Sequence, residues 1–215
     1  MDISNIYDKF RLRKENLLNY GFEKINNSYI IKKDILNNSM YAKFIISEDK
    51  ITVDVYDYVD NEIYLPFNIV DAKGKFVSLI KDEVAFHLED ILKNCFVEEN
   101  LKDKLNKYIF EKYQVTAIYP WDDENYVYKL NNKWFCLVMN IKYKLLGILK
   151  DGKVDVINVK LDEHEIEKII DNKYFFKAYH MNKKYWITIM LSAKLDFNLV
   201  TKYVDESYNI IKNSK

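Results

Sequence analysis

The stretch FFKAYHMNKKYWITIML, Phe175–Leu191, sets two apolar, aromatic-rich arms on either side of a short polar bend. Apolar arms joined by Asn and Lys read as a β-hairpin. Along the second arm Trp186, Thr188 and Met190 fall on one strand face and Tyr185, Ile187 and Ile189 on the other. At least one of these faces therefore belongs to a core. Around the bend, Tyr179, His180, Asn182, Lys183, Lys184 and Trp186 gather cations, an imidazole and an indole, chemistry that suits a binding surface.

Upstream of this hairpin the pattern stays antiparallel. Tyr126–Leu130 and Trp134–Ile141 flank Asn131 and Asn132, a pair suited to the positive φ of a tight turn. Tyr143–Leu149 and Lys153–Lys160 flank Asp151 and Gly152, the strongest short hairpin signal in the chain. Helices bracket these strands. Leu101, Leu105, Tyr108, Ile109 and Tyr113 follow a helical stripe. Asp162 with Glu165 forms a capping box before a short helix, and Asp196 caps a last helix bearing Leu199, Val200, Tyr203, Val204 and Ile211.

The first half repeats the theme. Ser4 caps an expected helix to Tyr20 that Gly21 stops, and strands follow at Tyr29–Lys33, Met40–Ser47 and Ile51–Tyr58, with turns at Asn37–Ser39 and Glu48–Lys50 around Asp49. After a polar passage, Ser78 is expected to cap a helix that ends near Cys95. The resulting expectation is an α+β chain of two helix-flanked antiparallel sheet units, residues 1–97 and 98–215.

Composition narrows the function classes. The chain carries 33 basic and 33 acidic side chains in 215 residues, without the overall basic excess of a dedicated nonspecific nucleic-acid binder. Its first 97 residues hold 13 basic against 16 acidic side chains and the remainder 20 against 17, a modest swing toward positive charge. No apolar run approaches the ~18 residues needed to span a bilayer, and MDISNIYDKFRLRKEN has charges where a signal peptide needs its apolar segment. A cytoplasmic location without membrane contact is the expectation. Cys95 and Cys136 stand apart in apolar contexts, as buried free thiols do.

Candidate chemistry is sparse. His180 beside two lysines is able to titrate, bind a metal or contact phosphate, but a lone histidine more often makes a structural hydrogen bond. Lys183 and Lys184 offer phosphate anchors beside Tyr185 and Trp186. Charged side chains are also the ordinary way to blunt an exposed strand end. Asp122, Asp123 and Glu124 read as a solvated loop, and neither His87 nor His164 has metal-pair spacing. With no glycine-rich phosphate loop, nucleophile elbow or two-histidine helix, a non-enzymatic protein without a cofactor is expected.

WFCLVM (Trp134–Met139), DGKVDVINVK (Asp151–Lys160) and above all AYHMNKKYWITI (Ala178–Ile189) resemble the MmcQ/YjbR family of small bacterial proteins over roughly residues 99–212. Residues 1–97 resemble the N-terminal extension of longer members. The resemblance implies a CyaY-like α+β fold and DNA binding by a double-wing arrangement, in which two hairpins grip a duplex. In this chain the wings are the hairpin around Asp151 and Gly152 and the hairpin around Asn182 and Lys183. Phosphate contacts are then expected from Lys150, Lys153, Lys183 and Lys184, with His180, Asn182 and Trp186 shaping the second wing. Iron binding of the frataxin kind would need an acidic first helix, whereas Leu101–Tyr113 carries Lys102, Lys104, Lys107 and Lys112. The alternative is a protein-interaction or adaptor module using an exposed aromatic sheet face. A small-molecule site would need a pocket.

Overall fold

Alternation at Ile51, Val53 and Val55 puts three aliphatic side chains on one face of a strand, and all three are buried. The computed structural model, which describes residues 3, 6–48, 50–69 and 71–214, divides into two units, Met1–Glu99 and Asn100–Lys215. The first runs α1 (Ile6–Lys9), β1 (Phe10–Leu12), α2 (Lys14–Tyr20), β2 (Glu23–Ile25), β3 (Ser28–Ile35), β4 (Met40–Ile46), β5 (Ile51–Asp57), α3 (Lys75–Cys95) and β6 (Phe96–Glu98). Strands β2 to β5 form an antiparallel sheet in sequence order, and Ile80, Val84, Leu88 and Ile91 of α3 pack on Ala42, Phe44 and Val55.

Several local expectations change here. The helix foreseen up to Tyr20 is interrupted, because Phe10–Leu12 is extended and pairs with Phe96–Glu98. That partner lies far along the chain, where periodicity within one segment cannot reveal it. The same pairing keeps residues 98 and 99 with the first unit: Glu98 faces Phe10, and the Glu99 N–H donates to the Lys9 carbonyl at 2.7 Å. Helix α3 starts at Lys75 behind Gly74, so Ser78 lies inside it and donates its N–H to the Gly74 carbonyl. Gly21 does end α2, at φ 111°, a left-handed conformation that costs glycine little. Ser4 and Asp49 lie outside the described residues.

The second unit runs α4 (Leu101–Tyr113), β7 (Tyr126–Leu130), β8 (Lys133–Lys142), β9 (Lys153–Lys160), α5 (Glu163–Ile169), β10 (Phe175–Lys177), β11 (Trp186–Met190) and α6 (Phe197–Asn213). Its antiparallel sheet has the order β10-β11-β9-β8-β7. Asn131 and Asn132 take φ of 50° and 62°, the tight turn that the Asn pair predicts. Asp162 and Asp196 cap α5 and α6 by accepting the N–H of His164 and Asn198. On one sheet face Leu105 and Ile109 of α4 and Val200, Val204 and Ile211 of α6 close over Tyr128, Phe135, Val138, Ile187 and Ile189. Asp205 locks the two helices by accepting the hydroxyls of Tyr108 at 2.8 Å and Tyr113 at 2.5 Å and pairing with Lys112 at 2.6 Å.

The opposite face is covered as well. Leu137, Met139, Val154, Val156, Phe176 and Met190 form a second apolar cluster, against which Tyr143, Leu146, Ile148, Tyr179 and Met181 pack from two loops. This overturns one expectation. Tyr143–Leu149 is not a strand: Tyr143–Leu146 is a turn of 3-10 helix, and its apolar residues reach down onto the sheet. Of this sheet's aromatics, Tyr126, Tyr128, Phe135 and Tyr143 are almost fully buried and Trp186 is 9% exposed.

Candidate functional site

At the centre of the second sheet Asn158 of β9 stands opposite Thr188 of β11, and both are fully buried. An unpaired polar group in such a place costs about 1–3 kcal/mol. Here a closed ring of three hydrogen bonds satisfies both side chains. The Tyr179 N–H donates to Thr188 Oγ1 at 2.9 Å, the Thr188 hydroxyl to Asn158 Oδ1 at 2.6 Å, and Asn158 Nδ2 to the Tyr179 carbonyl at 2.7 Å. Tyr179 is thereby fixed at both its backbone groups. The next residue, His180, takes φ 57°, uncommon outside glycine, and its ring lies 3.9 Å from that of Tyr179. His180 itself is exposed.

Two side chains shape the rest of this loop. Asp171 Oδ1 accepts the N–H groups of Lys173, Tyr174 and Phe175, each at 2.8 Å. Burial alone would raise the Asp171 carboxyl, but these donors prevail and hold it below the usual carboxylate range. Asn182 closes the bend: its carbonyl accepts the N–H of Tyr185 and Trp186, and its Oδ1 accepts the N–H of Lys184 at 3.0 Å. Asn182 thus builds the turn, and Trp186 is a packed residue of β11 with little ring surface to offer.

The lysines divide by environment. Lys184 pairs with Glu163 at 3.1 Å, Lys153 with Glu124 at 4.0 Å, and Lys150 Nζ sits 4.5 Å from the Tyr143 ring centroid. Lys142, Lys144, Lys150 and Lys153 border one cavity of about 290 Å³ at the β8–β9 connection. A second cleft of about 290 Å³ opens between that connection and the β10–β11 loop, lined by Leu145, Leu146, Phe176, Lys177, His180 and Lys183 among others. Among the described residues neither Lys177 nor Lys183 has an acidic partner.

Both loops therefore lie over the same sheet face and border one cleft; they fold back onto the sheet instead of projecting as two wings. His180 and Lys183 come together, Lys150 and Lys153 stand at the neighbouring cavity, and Lys184 turns to α5. Sequence reasoning missed Lys142, Lys144 and Lys177, and it missed the anchoring pair Asn158 and Thr188. A polar residue inside each of the apolar runs VINV and WITI was the available signal, and the register then pairs them. Among the described residues no group of three or more His, Cys, Asp or Glu could hold a metal ion, and no helix is long and apolar enough to cross a membrane.

This geometry defines an α+β domain whose antiparallel sheet carries helices on one face and two lysine-bearing loops on the other. A protein-family model described as YjbR matches residues 110–210, within this domain. The chain is similar to YyaQ of Bacillus subtilis (strain 168), an uncharacterized protein, at 27% identity over 115 residues that span 52% of this chain and 98% of the relative. A crystal structure from Pseudomonas syringae matches at 28% identity and a TM-score of 0.49, covering 51% of this chain and 97% of that one. One from Deinococcus radiodurans matches at 22% identity and a TM-score of 0.42, covering 52% and 78%.

Proposed function

We propose that the second unit is a non-enzymatic DNA-binding module of a cytoplasmic protein, contacting duplex phosphates through its two loops. The observation that carries this reading is charge concentration on a chain that is neutral overall. Residues 142–153 and 177–184 hold seven lysines against one acid, Asp151, and both loops cover the same sheet face. Phosphate contact needs positive charge in an array and no particular catalytic group, which matches what these loops present. Lys142, Lys144, Lys150, Lys153, Lys177 and Lys183 are the contacts, with His180 at their edge. Lys184 contributes less, because Glu163 already neutralises it. An adaptor docking a partner on an aromatic sheet face finds less support, because both faces of this sheet are packed.

Affinity for a 20-base-pair duplex, measured by fluorescence anisotropy between 50 and 200 mM salt, tests the reading. Each phosphate contact contributes about 0.9 to the slope of log K against log salt, so Lys144→Ala with Lys183→Ala should flatten it by about 2. A protein with no measurable affinity at 50 mM salt refutes the proposal.

A further inference from the structure

We propose that the cleft between the two loops is a binding site for a phosphate monoester joined to a nucleobase, the chemistry of one mononucleotide. Its volume of about 290 Å³ lies at the lower end of ligand pockets, about 300–1,000 Å³, a size that suits one such unit. One wall is apolar, from Leu145, Leu146 and Phe176. The rim carries Lys177, Lys183 and His180, and the two lysines lack acidic partners among the described residues. Two ammonium groups match a phosphate monoester, which carries about −1.5 to −2 at neutral pH, better than a carboxylate. A nucleobase presents flat apolar faces that pack on such a wall whatever its edge, as bases do on single-strand binding surfaces.

The cleft is also built in advance of any ligand. The buried ring through Asn158 and Thr188 fixes Tyr179, and three N–H bonds to Asp171 fix the chain entering β10. His180 is thereby held in a left-handed conformation that the surrounding structure must enforce, at the rim where an anion would sit. Rigid support of this kind is what a binding site requires of its surroundings. This assignment stands apart from the duplex reading: surface phosphate contact needs no cleft, and Lys144, on the neighbouring cavity, belongs to the duplex contacts alone.

Calorimetric titration of the full chain with dAMP, deoxyadenosine and inorganic phosphate is the test. Saturable dAMP binding is expected, at least about tenfold tighter than either fragment. Lys183→Ala should weaken it about tenfold and Lys183→Arg should restore most of the loss. Leu145→Trp, at a position 44% exposed and so tolerant of the larger ring, should fill the cleft and abolish binding. Lys144→Ala should leave dAMP affinity unchanged while weakening the duplex. Oligonucleotides with and without a 5′ phosphate separate the two sources of the ligand: tighter binding of the phosphorylated strand identifies a strand terminus, and equal binding alongside dAMP identifies the free nucleotide. No saturable dAMP binding at millimolar concentration overturns the proposal, as does equal affinity for deoxyadenosine or indifference to Leu145→Trp.

Discussion

Thr188→Val deletes one hydroxyl from the centre of the second sheet and keeps the side chain's shape. Two buried groups lose their partners, since the Tyr179 N–H has no acceptor left and Asn158 Oδ1 has no donor. At about 1–3 kcal/mol for each buried orphan, and allowing for some relaxation of the loop, the second unit should lose about 2–4 kcal/mol. With a urea dependence of about 1–3 kcal/mol per molar, the unfolding midpoint should fall by about 1–2 M. All 3 tryptophans of the chain, Trp121, Trp134 and Trp186, lie in this unit, so their fluorescence follows its unfolding within the intact protein. Thr188→Ser retains the hydroxyl and loses only a methyl group, which should cost about 1 kcal/mol and keep the ring closed. Amide exchange at Tyr179 gives a local readout: its protection should collapse in the valine variant and persist in the serine variant. A midpoint within 0.2 M of the parent in Thr188→Val, with Tyr179 still protected, would refute the reasoning.

Two further outcomes follow from titratable groups. Because its backbone donors hold the Asp171 carboxyl below the usual range, the ionised form stabilises the fold at pH values above about 4 and that contribution disappears as pH falls through the depressed folded value. Asp171→Ala should therefore be clearly less stable than the parent at pH 7 by urea unfolding, and the gap should narrow below pH 4; a gap independent of pH contradicts the account. Burial pushes the Cys95 thiol up to about 11 and raises Cys136 as well, so neither forms much thiolate at pH 8. Both should resist a maleimide in the native protein and react on unfolding in urea, as counted by mass spectrometry, and rapid native labelling of either would contradict their burial.

Local sequence was a good guide wherever the deciding interaction was short in range. Asn131 with Asn132 specified a positive-φ turn, Asp162 and Asp196 specified helix starts, and Gly21 specified a helix end, because each acts on backbone groups within a few residues. Reading failed where a distant partner decided. Phe10–Leu12 follows a helical stripe and is nonetheless a strand, because Phe96–Glu98 offers it backbone hydrogen bonds. Tyr143, Leu146 and Ile148 read equally well as a strand continuing the sheet, but the sheet's second face needed a cover and these side chains supply it.

The candidate site divides in the same way. Sequence alone determined that lysines, a histidine and an asparagine cluster at the bend after Phe175, and that the surrounding strands are apolar enough to build a core. It also carried the resemblance to the YjbR family model, through runs such as AYHMNKKYWITI. Only the tertiary structure decided which of those residues do what. Asn182 closes a turn, Trp186 packs in the sheet, Lys184 pairs with Glu163, and Lys183 lines one cleft with Lys177, His180 and two leucines contributed by another loop. The physical reason is that a side chain's role depends on its neighbours in space. In an antiparallel sheet those neighbours are set by register and by what lies over each face, as with Asn158, which meets Thr188 across strands thirty residues apart.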